Sequence, residues 1–457
     1  MKNLILYFSI LSIISGSAQS LYFPPLTGTT WDTVSVASLG WHEDKIDSLY
    51  SFLETKNSKA FILLKNGKIV LEKYFGAFTK DSLWYWASAG KTMTAFMVGI
   101  AQHEGYFNLS DSSSKYLGAG WTSCPPEKEK KITILNQLTM TSGLKDDVPD
   151  HYCTLPSCLI YKADAGTRWA YHNAPYTLLD SVIIKSTNQS YNQFYFNKVR
   201  NRIGMNGLWL PSGYNNVLYS NARSIARFGL LILNKGIWAN DTLMQDTSYF
   251  RRMVNTSQNI NLSYGYLWWL NGKHTYMLPQ TQFVFPGSWA PNAPNDMIAA
   301  LGKNGQIINV VPSMNLIFVR IGDAPDTSLE VPTVFCNNIW DKLNQIINDP
   351  SDVGSDFLSD KEFYLSNNYP NPFNPSTKIR WQLPISSWQT LKVYDVLGNE
   401  VATLVDEFKP AGTYEAEFSA ETSIKHQVSG MGYASGVYFY QLRTENFIQT
   451  KKMILEK

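Results

Sequence analysis

Cysteine, histidine and charge are all scarce in this 457-residue sequence, with four Cys, six His and only 17% Asp, Glu, Lys and Arg. No Cys-x-x-Cys pair and no Cys/His cluster occurs, so there is no metal-ligand pattern, and no cofactor is expected. Long basic runs are missing too, and 39 basic against 37 acidic residues leave a formal charge of +2. Without that electrostatic footprint the chain is not built to hold a phosphate backbone, which excludes nucleic acid as a partner. Nor does any apolar run reach the ~20 residues that a membrane-spanning helix needs. Hydrophobic residues, in contrast, make up 44% and aromatic ones 14%. That balance excludes wholesale disorder, and the length predicts two to four domains.

The apolar run Leu4–Ile14 is followed by Ser15, Gly16, Ser17 and Ala18. This is the layout of a secretory signal, residues 1–18, with cleavage expected after Ala18. Export permits disulfides, and Cys153 and Cys158 are close enough in sequence to close a small loop. Cys124 and Cys336 either pair across the fold or stay as buried thiols. Residues 349–362 hold five acidic residues and one lysine among Pro, Gly and Ser, without an apolar period. They read as a linker between a block at 40–348, preceded by a lead-in at 19–39, and a tail at 363–457. The tail alternates apolar and polar residues at Ile379/Trp381/Leu383, Tyr414/Ala416/Phe418 and Tyr438/Tyr440/Leu442, a pattern of short strands that predicts a small β-sandwich.

In the larger block, Ala60–Leu64 and Lys68–Phe75 flank Lys65-Asn66-Gly67, where Asn-Gly predicts a tight hairpin. From Ser88 onward, Met93, Phe96, Met97, Ile100 and Ala101 fall at helical spacing up to Gly105, and a second helix is expected over Ala222–Leu233. Gln306–Ile321 reads as two strands around Pro312-Ser313. This mixture of helices and strands argues α+β or α/β.

A serine hydroxyl becomes a competent nucleophile only when a base takes its proton and donors hold the resulting oxyanion. Ser88-Ala89-Gly90-Lys91 places a lysine one helical turn beyond a serine, at a helix N-terminus whose dipole favours negative charge. The bare Ser-x-x-Lys spacing recurs at Ser112–Lys115 and Ser142–Lys145. Tyr-x-Asn recurs at residues 171, 195, 214 and 219, and Lys-x-Gly at 65 and 303. No Gly-x-Ser-x-Gly elbow exists, so a Ser-His-Asp mechanism is not indicated.

Specificity comes from order and flanks. The segments WASAGKTMTAFMVGIAQHEG, ITILNQLTMTSGL, GTRWAYHNAPYTLLDSV, NARSIARFGLLILNKGIW, YGYLWWL and ALGKNGQIINVVPSMNLIFVRIG occur in the order seen in the serine β-lactamase-like hydrolases. The family includes class C β-lactamases, D-amino-acid peptidases, esterases and nylon-oligomer hydrolases, and the resemblance covers roughly residues 40–345. It implies an α+β domain of the β-lactamase/transpeptidase type, an antiparallel sheet flanked by helices with a helical subdomain. It also implies that Ser88 is acylated, that Lys91 and Tyr171 are the acid/base groups, and that Asn173 orients substrate or Lys91. Lys303, Asn304, Gly305 and Gln306 would border the substrate, with the Ser88 and Gln306 backbone N–H groups as oxyanion donors. Lys-Asn-Gly departs from the Lys-Thr-Gly of many lactamases, and Tyr-His-Asn resembles the esterase and nylon-oligomer side. His172 is expected to pack away from the cleft. The aromatic runs Trp84–Trp86 and Tyr266–Trp269 are expected to be mostly core. The implied reaction is cleavage of an ester or amide in a small-molecule or peptide-like substrate. The rival readings are a β-lactamase or penicillin-binding peptidase, and a catalytically silent surface binding protein.

The tail, from LSNNYPNPFNPSTKIRWQLP through LKVYDVLGNEVATLV to SGVYFYQLRTENFIQTKKMILEK, resembles the type IX secretion C-terminal sorting domain, an Ig-like sandwich. The resemblance implies outer-membrane translocation through the type IX machinery and a secreted or cell-surface protein. Thr422–Ala434 is longer than the usual connection. The rival reading of the tail is a polysaccharide-binding sandwich.

Overall fold

The computed structural model describes residues 21–325, 331–347, 363–384, 386–420, 433–444 and 447–456. The expected signal, the acidic linker and residues 422–432 of the tail insertion lie outside these. In chain order the elements that position the cleft are α1 (Ile46–Thr55), β1 (Ser58–Lys65), β2 (Lys68–Tyr74), β3 (Trp84–Tyr85), α2 (Lys91–His103) and α3 (Asn173–Thr187). They continue with β4 (Leu208–Ser212), β5 (Asn215–Ser220), α4 (Ala222–Leu233), β6 (Trp269–Leu270), β7 (Ile298–Gly302), β8 (Gln306–Val311), β9 (Leu316–Gly322) and α5 (Thr333–Ile347).

Six strands pair antiparallel in the order β2-β1-β9-β8-β7-β6. Asn66 and Gly67 turn β1 into β2 with φ of 50° and 81°, the left-handed pair that a two-residue hairpin requires. Successive side chains of β8 and β9 face opposite layers, so the sheet is covered on both sides. Ile308 and Ile317 lie against Gly229 of α4, while Asn309 accepts from Trp340 Nε1 of α5 (2.8 Å) and Phe318 packs on the Trp340 ring. A Cβ on Gly229 would sit 2.8 Å from Ile317, so the helix approaches closely because the residue is glycine. Helix α2 is buried from Lys91 to Ala101, packed against α3 of the helical lobe, with Phe96 edge-on to Phe228 of α4.

The fold is thus of the β-lactamase/transpeptidase type, and the strands around Pro312-Ser313 and the helix at 222–233 form where the pattern places them. One local expectation changes. Ser88 lies in a 3-10 turn, Ala87–Gly90, and the α-helix starts only at Lys91. Cys124 and Cys336 are buried free thiols rather than a bridge.

The tail forms β10 (Tyr364–Leu365), β11 (Ser376–Leu383), β12 (Ser387–Tyr394), β13 (Glu400–Lys409), β14 (Gly412–Ser419), β15 (Gly436–Thr444) and β16 (Ile448–Leu455). They make two antiparallel sheets, β10-β11-β14 and β13-β12-β15-β16, around their own core of Ile379, Trp381, Leu391, Tyr440 and Leu442. Among the described residues no helix is long and apolar enough to cross a membrane.

Candidate active site

Ser88 sits where the 3-10 turn feeds α2, preceded by Ala87 in the left-handed region at φ 47°. Such a conformation costs a non-glycine residue about 1 kcal/mol or more and persists only where surroundings enforce it. Here β7 does so, because Gly302 lies flat against the turn. A Cβ added to Gly302 would stand 2.5 Å from the Trp86 carbonyl oxygen and 2.9 Å from the Ala89 nitrogen. Both are backbone atoms, and Gly302 itself is extended at φ −129°, so close approach alone demands glycine. Gly302→Ala is expected to displace the Ser88 turn, lowering kcat for an ester by about tenfold or more and stability by ~1–3 kcal/mol. Parallel turnover and thermal-melting measurements check this; an unchanged kcat would refute it.

Lys91, only 1% exposed, donates from Nζ to Ser88 Oγ at 2.8 Å and to Asn173 Oδ1 at 2.7 Å. Its ammonium carbon stem is enclosed by aromatic faces, with Nζ 3.9 Å from the Tyr176 ring centroid and 4.9 Å from that of Tyr171. Tyr171 is buried against Trp169, Tyr264 and Trp269. The backbone of His172 is extended (φ −111°, ψ 120°), so Tyr171 and Asn173 project to one side and His172 to the other. Asn173 begins α3, with Pro175 in the first turn, where a missing N–H costs nothing.

Burial depresses the His172 imidazole to about 4, and among the described residues neither ring nitrogen has a hydrogen-bond partner. The unfolded chain, with histidine near 6.5, therefore binds one more proton than the folded one between pH 4 and 6.5. Stability is full above pH 6.5 and falls by up to ~3 kcal/mol as pH drops toward 4. Urea midpoints at pH 7 and 4.5 are expected to converge for His172→Leu relative to wild type, and equal slopes would contradict this.

The cleft beside Ser88 has a volume of about 540 Å³ and is lined by Ser88, Asn173 and Lys303 together with Tyr85, Tyr152, Tyr176, Tyr214 and Tyr219. Lys303, Asn304 and Gly305 form the turn between β7 and β8, with Asn304 and Gly305 at φ 64° and 78°. Asn304 Nδ2 donates to the Tyr85 hydroxyl at 2.7 Å. Gln306 is buried, and its side chain bonds Gly322 rather than facing the cleft. Of the aromatic runs only Tyr85 lines the cleft, while Trp86, Trp268 and Trp269 are core.

Several lining residues lie outside the segments that carry the family resemblance. Asp150 and Tyr152 sit on a loop held by the Cys153–Cys158 disulfide and by the Ala174 N–H, which donates to His151 O at 3.1 Å. Asn215 and Asn216, on the β4–β5 hairpin, are tied to α3 through Thr177 and the buried Asp180. Burial raises the Asp180 carboxyl above the usual range. Ser112 and Ser142, the other serines of Ser-x-x-Lys spacing, do not line the cleft. Among the described residues no group of three or more His, Cys, Asp or Glu is placed to hold a metal ion.

A helix-covered antiparallel sheet, with a serine and lysine at the head of a buried helix and a second lobe supplying an asparagine, defines a serine hydrolase of the β-lactamase/transpeptidase class. The chain belongs to the Beta-lactamase family, whose model matches residues 55–321. Residues 367–456 match the secretion system C-terminal sorting domain, which supports a secreted or cell-surface location and an interaction with secretion machinery. A β-lactamase of Escherichia coli (strain K12) is 27% identical over 139 residues, 29% of this chain and 36% of that protein. The match thus spans little more than a third of that relative's length. Among solved structures, a provisionally assigned 6-aminohexanoate-dimer hydrolase from Bacillus anthracis has a TM-score of 0.53 at 17% identity, covering 72% of this chain and 91% of that one. A provisionally assigned β-lactamase from Bacteroides dorei DSM 17855 has a TM-score of 0.52 at 15% identity, covering 68% and 100%. At such identities both show the fold alone.

Proposed function

We propose that this protein is an exported hydrolase that cleaves an ester or amide through an acyl-Ser88 intermediate. The observation that carries the reading is Lys91 Nζ, buried, 2.8 Å from Ser88 Oγ at the floor of an open cleft. In its neutral form Lys91 accepts the Ser88 proton as Oγ attacks the substrate carbonyl. Tyr171 is the second acid/base group, relaying a proton to the leaving group and later drawing one from water. Backbone N–H groups of Ser88 and Gln306 hold the oxyanion, and Asn173 keeps Lys91 in register through its 2.7 Å contact. Lys303 and Asn304 border the substrate at the cleft rim, where Tyr85 anchors the turn. On this reading residues 1–18 direct export, 40–348 form the catalytic domain, and 349–362 link it to a sorting domain at 363–457 that engages the type IX machinery.

The test is active-site labelling with a fluorophosphonate, followed by mapping of the modified peptide and turnover of aryl esters, D-amino-acid peptides and a chromogenic cephalosporin. The adduct is expected on Ser88, with aryl esters turned over. Label on another serine, or none, would sink the proposal. A β-lactamase is the second reading, favoured by the match to the Escherichia coli enzyme. Rapid cephalosporin turnover with slow ester hydrolysis would select it.

A further inference from the structure

Directly against the Lys303–Gly305 turn lies Arg320 of β9, fully buried and absent from the lining of the cleft. A guanidinium has five N–H donors, and all five are engaged. Nε donates to Ser58 Oγ at 2.9 Å, and Nη2 to the carbonyls of Lys56 and Asp323 at 2.6 and 3.0 Å. Nη1 donates to the carbonyls of Asn304 and Gly305 at 2.8 and 3.0 Å. The remaining carbonyl of the turn, that of Lys303, accepts from Gln306 Nε2 at 3.2 Å. No carboxylate hydrogen-bonds Arg320 among the described residues, so a buried cation is maintained on four main-chain oxygens and one hydroxyl, an arrangement that costs desolvation. Gly305 fits against it only as glycine, since a Cβ there would meet Arg320 Nη1 at 2.6 Å and φ is 78°.

A trans peptide is planar, and its C=O and N–H point in opposite directions. Gripping the Asn304 and Gly305 carbonyls from the buried side therefore turns the N–H groups of Gly305 and Gln306 the other way. We propose that Arg320 is a positioning residue that, by fixing both peptide planes of the turn, aims the Gln306 N–H at the substrate oxyanion, where it acts beside that of Ser88. The proposal rests on the acyl-Ser88 reading and deepens it. Loop flexibility alone would let such a turn flip its peptides. Two left-handed residues in succession make the turn tight, and the planar fork of Arg320 selects one orientation of both peptide planes.

The test compares an aryl ester with its thiono analogue, in which C=S replaces C=O, on wild type, Arg320→Met and Arg320→Lys. Sulfur is larger and a weaker acceptor, so well-aimed N–H donors make an enzyme prefer the oxygen ester. Arg320→Met is expected to lose about tenfold to a hundredfold in kcat on the oxygen ester with KM nearly unchanged, and its oxygen-to-sulfur rate ratio is expected to contract. Arg320→Lys keeps a cation without the fork and is expected to fall between; it also reads the effect if the methionine variant does not fold. A folded variant that slows both esters equally, leaving the ratio at the wild-type value, would overturn the proposal. If wild type shows no Ser88-dependent hydrolysis of either ester, the acyl-Ser88 reading fails first and this one with it.

Discussion

Ser88→Ala is expected to remove all fluorophosphonate label and to lower ester turnover by about four to six orders of magnitude. The size follows from what is lost. Lys91 and Asn173 would remain 2.7 Å apart, and the cleft would keep its tyrosines and Lys303, so substrate binding persists. Only the atom that forms the acyl bond disappears, and a water lacking that placement reacts far more slowly. KM should therefore change little while kcat collapses, and the fold should be unaffected, because a half-exposed hydroxyl is exchanged for hydrogen. Steady-state kinetics with thermal melting check both halves. Residual turnover within a hundredfold of wild type would mean that another nucleophile does the chemistry.

Lys91→Met is expected to slow acylation by about a thousandfold, within the range that a positioned proton acceptor supplies. The same variant should stay within about 2 kcal/mol of wild type in stability. Lys91 is 1% exposed, and its partners include a hydroxyl, an amide oxygen and two ring faces. Methionine fills a similar volume and removes the desolvation of an ammonium group, but the buried Asn173 Oδ1 loses this donor at a cost of about 1–3 kcal/mol, so the two effects oppose each other. Sulfur–aromatic contacts with Tyr171 and Tyr176 would compensate in part for the lost cation–π attraction. Fluorophosphonate labelling rates and urea unfolding measure the two effects separately. If labelling slows less than tenfold, the proton acceptor is Tyr171 rather than Lys91.

Legibility in the sequence followed the range of the interactions. Hairpin, helix and strand positions were readable because Asn66-Gly67, the 3.6-residue period of 222–233 and the turn at Pro312-Ser313 act within a few residues. Where the nucleophile's turn ends and its helix begins was not readable, because Gly302 of β7 presses on that turn from a distant part of the chain. The recurring Tyr-x-Asn pairs show the same limit. Nothing local separates Tyr171 and Asn173 from Tyr214 and Asn216; the packing of α3 beside α2 does. Family resemblance supplied that choice only by borrowing order and flanks from proteins already folded this way. Of the cleft tyrosines, Tyr152 and Tyr176 carry no sequence signal, while Tyr85, Tyr214 and Tyr219 stand in patterns that do not show which way a side chain faces; the fold alone gathers the five from separate segments.

The sequence by itself determined that the chain bears a sandwich-forming tail, and a serine and lysine one turn apart. A single turn of backbone brings Ser88 and Lys91 together wherever the rest of the chain goes, which is why that contact is written locally. Tertiary structure alone decided what surrounds them. It set Asn173 on Lys91, Gly302 against the serine's turn, and Arg320 under the carbonyls of Asn304 and Gly305. Those contacts join residues 15 to more than 200 positions apart, and they exist only once the sheet has its strand order and the buried helix has its place beside α3.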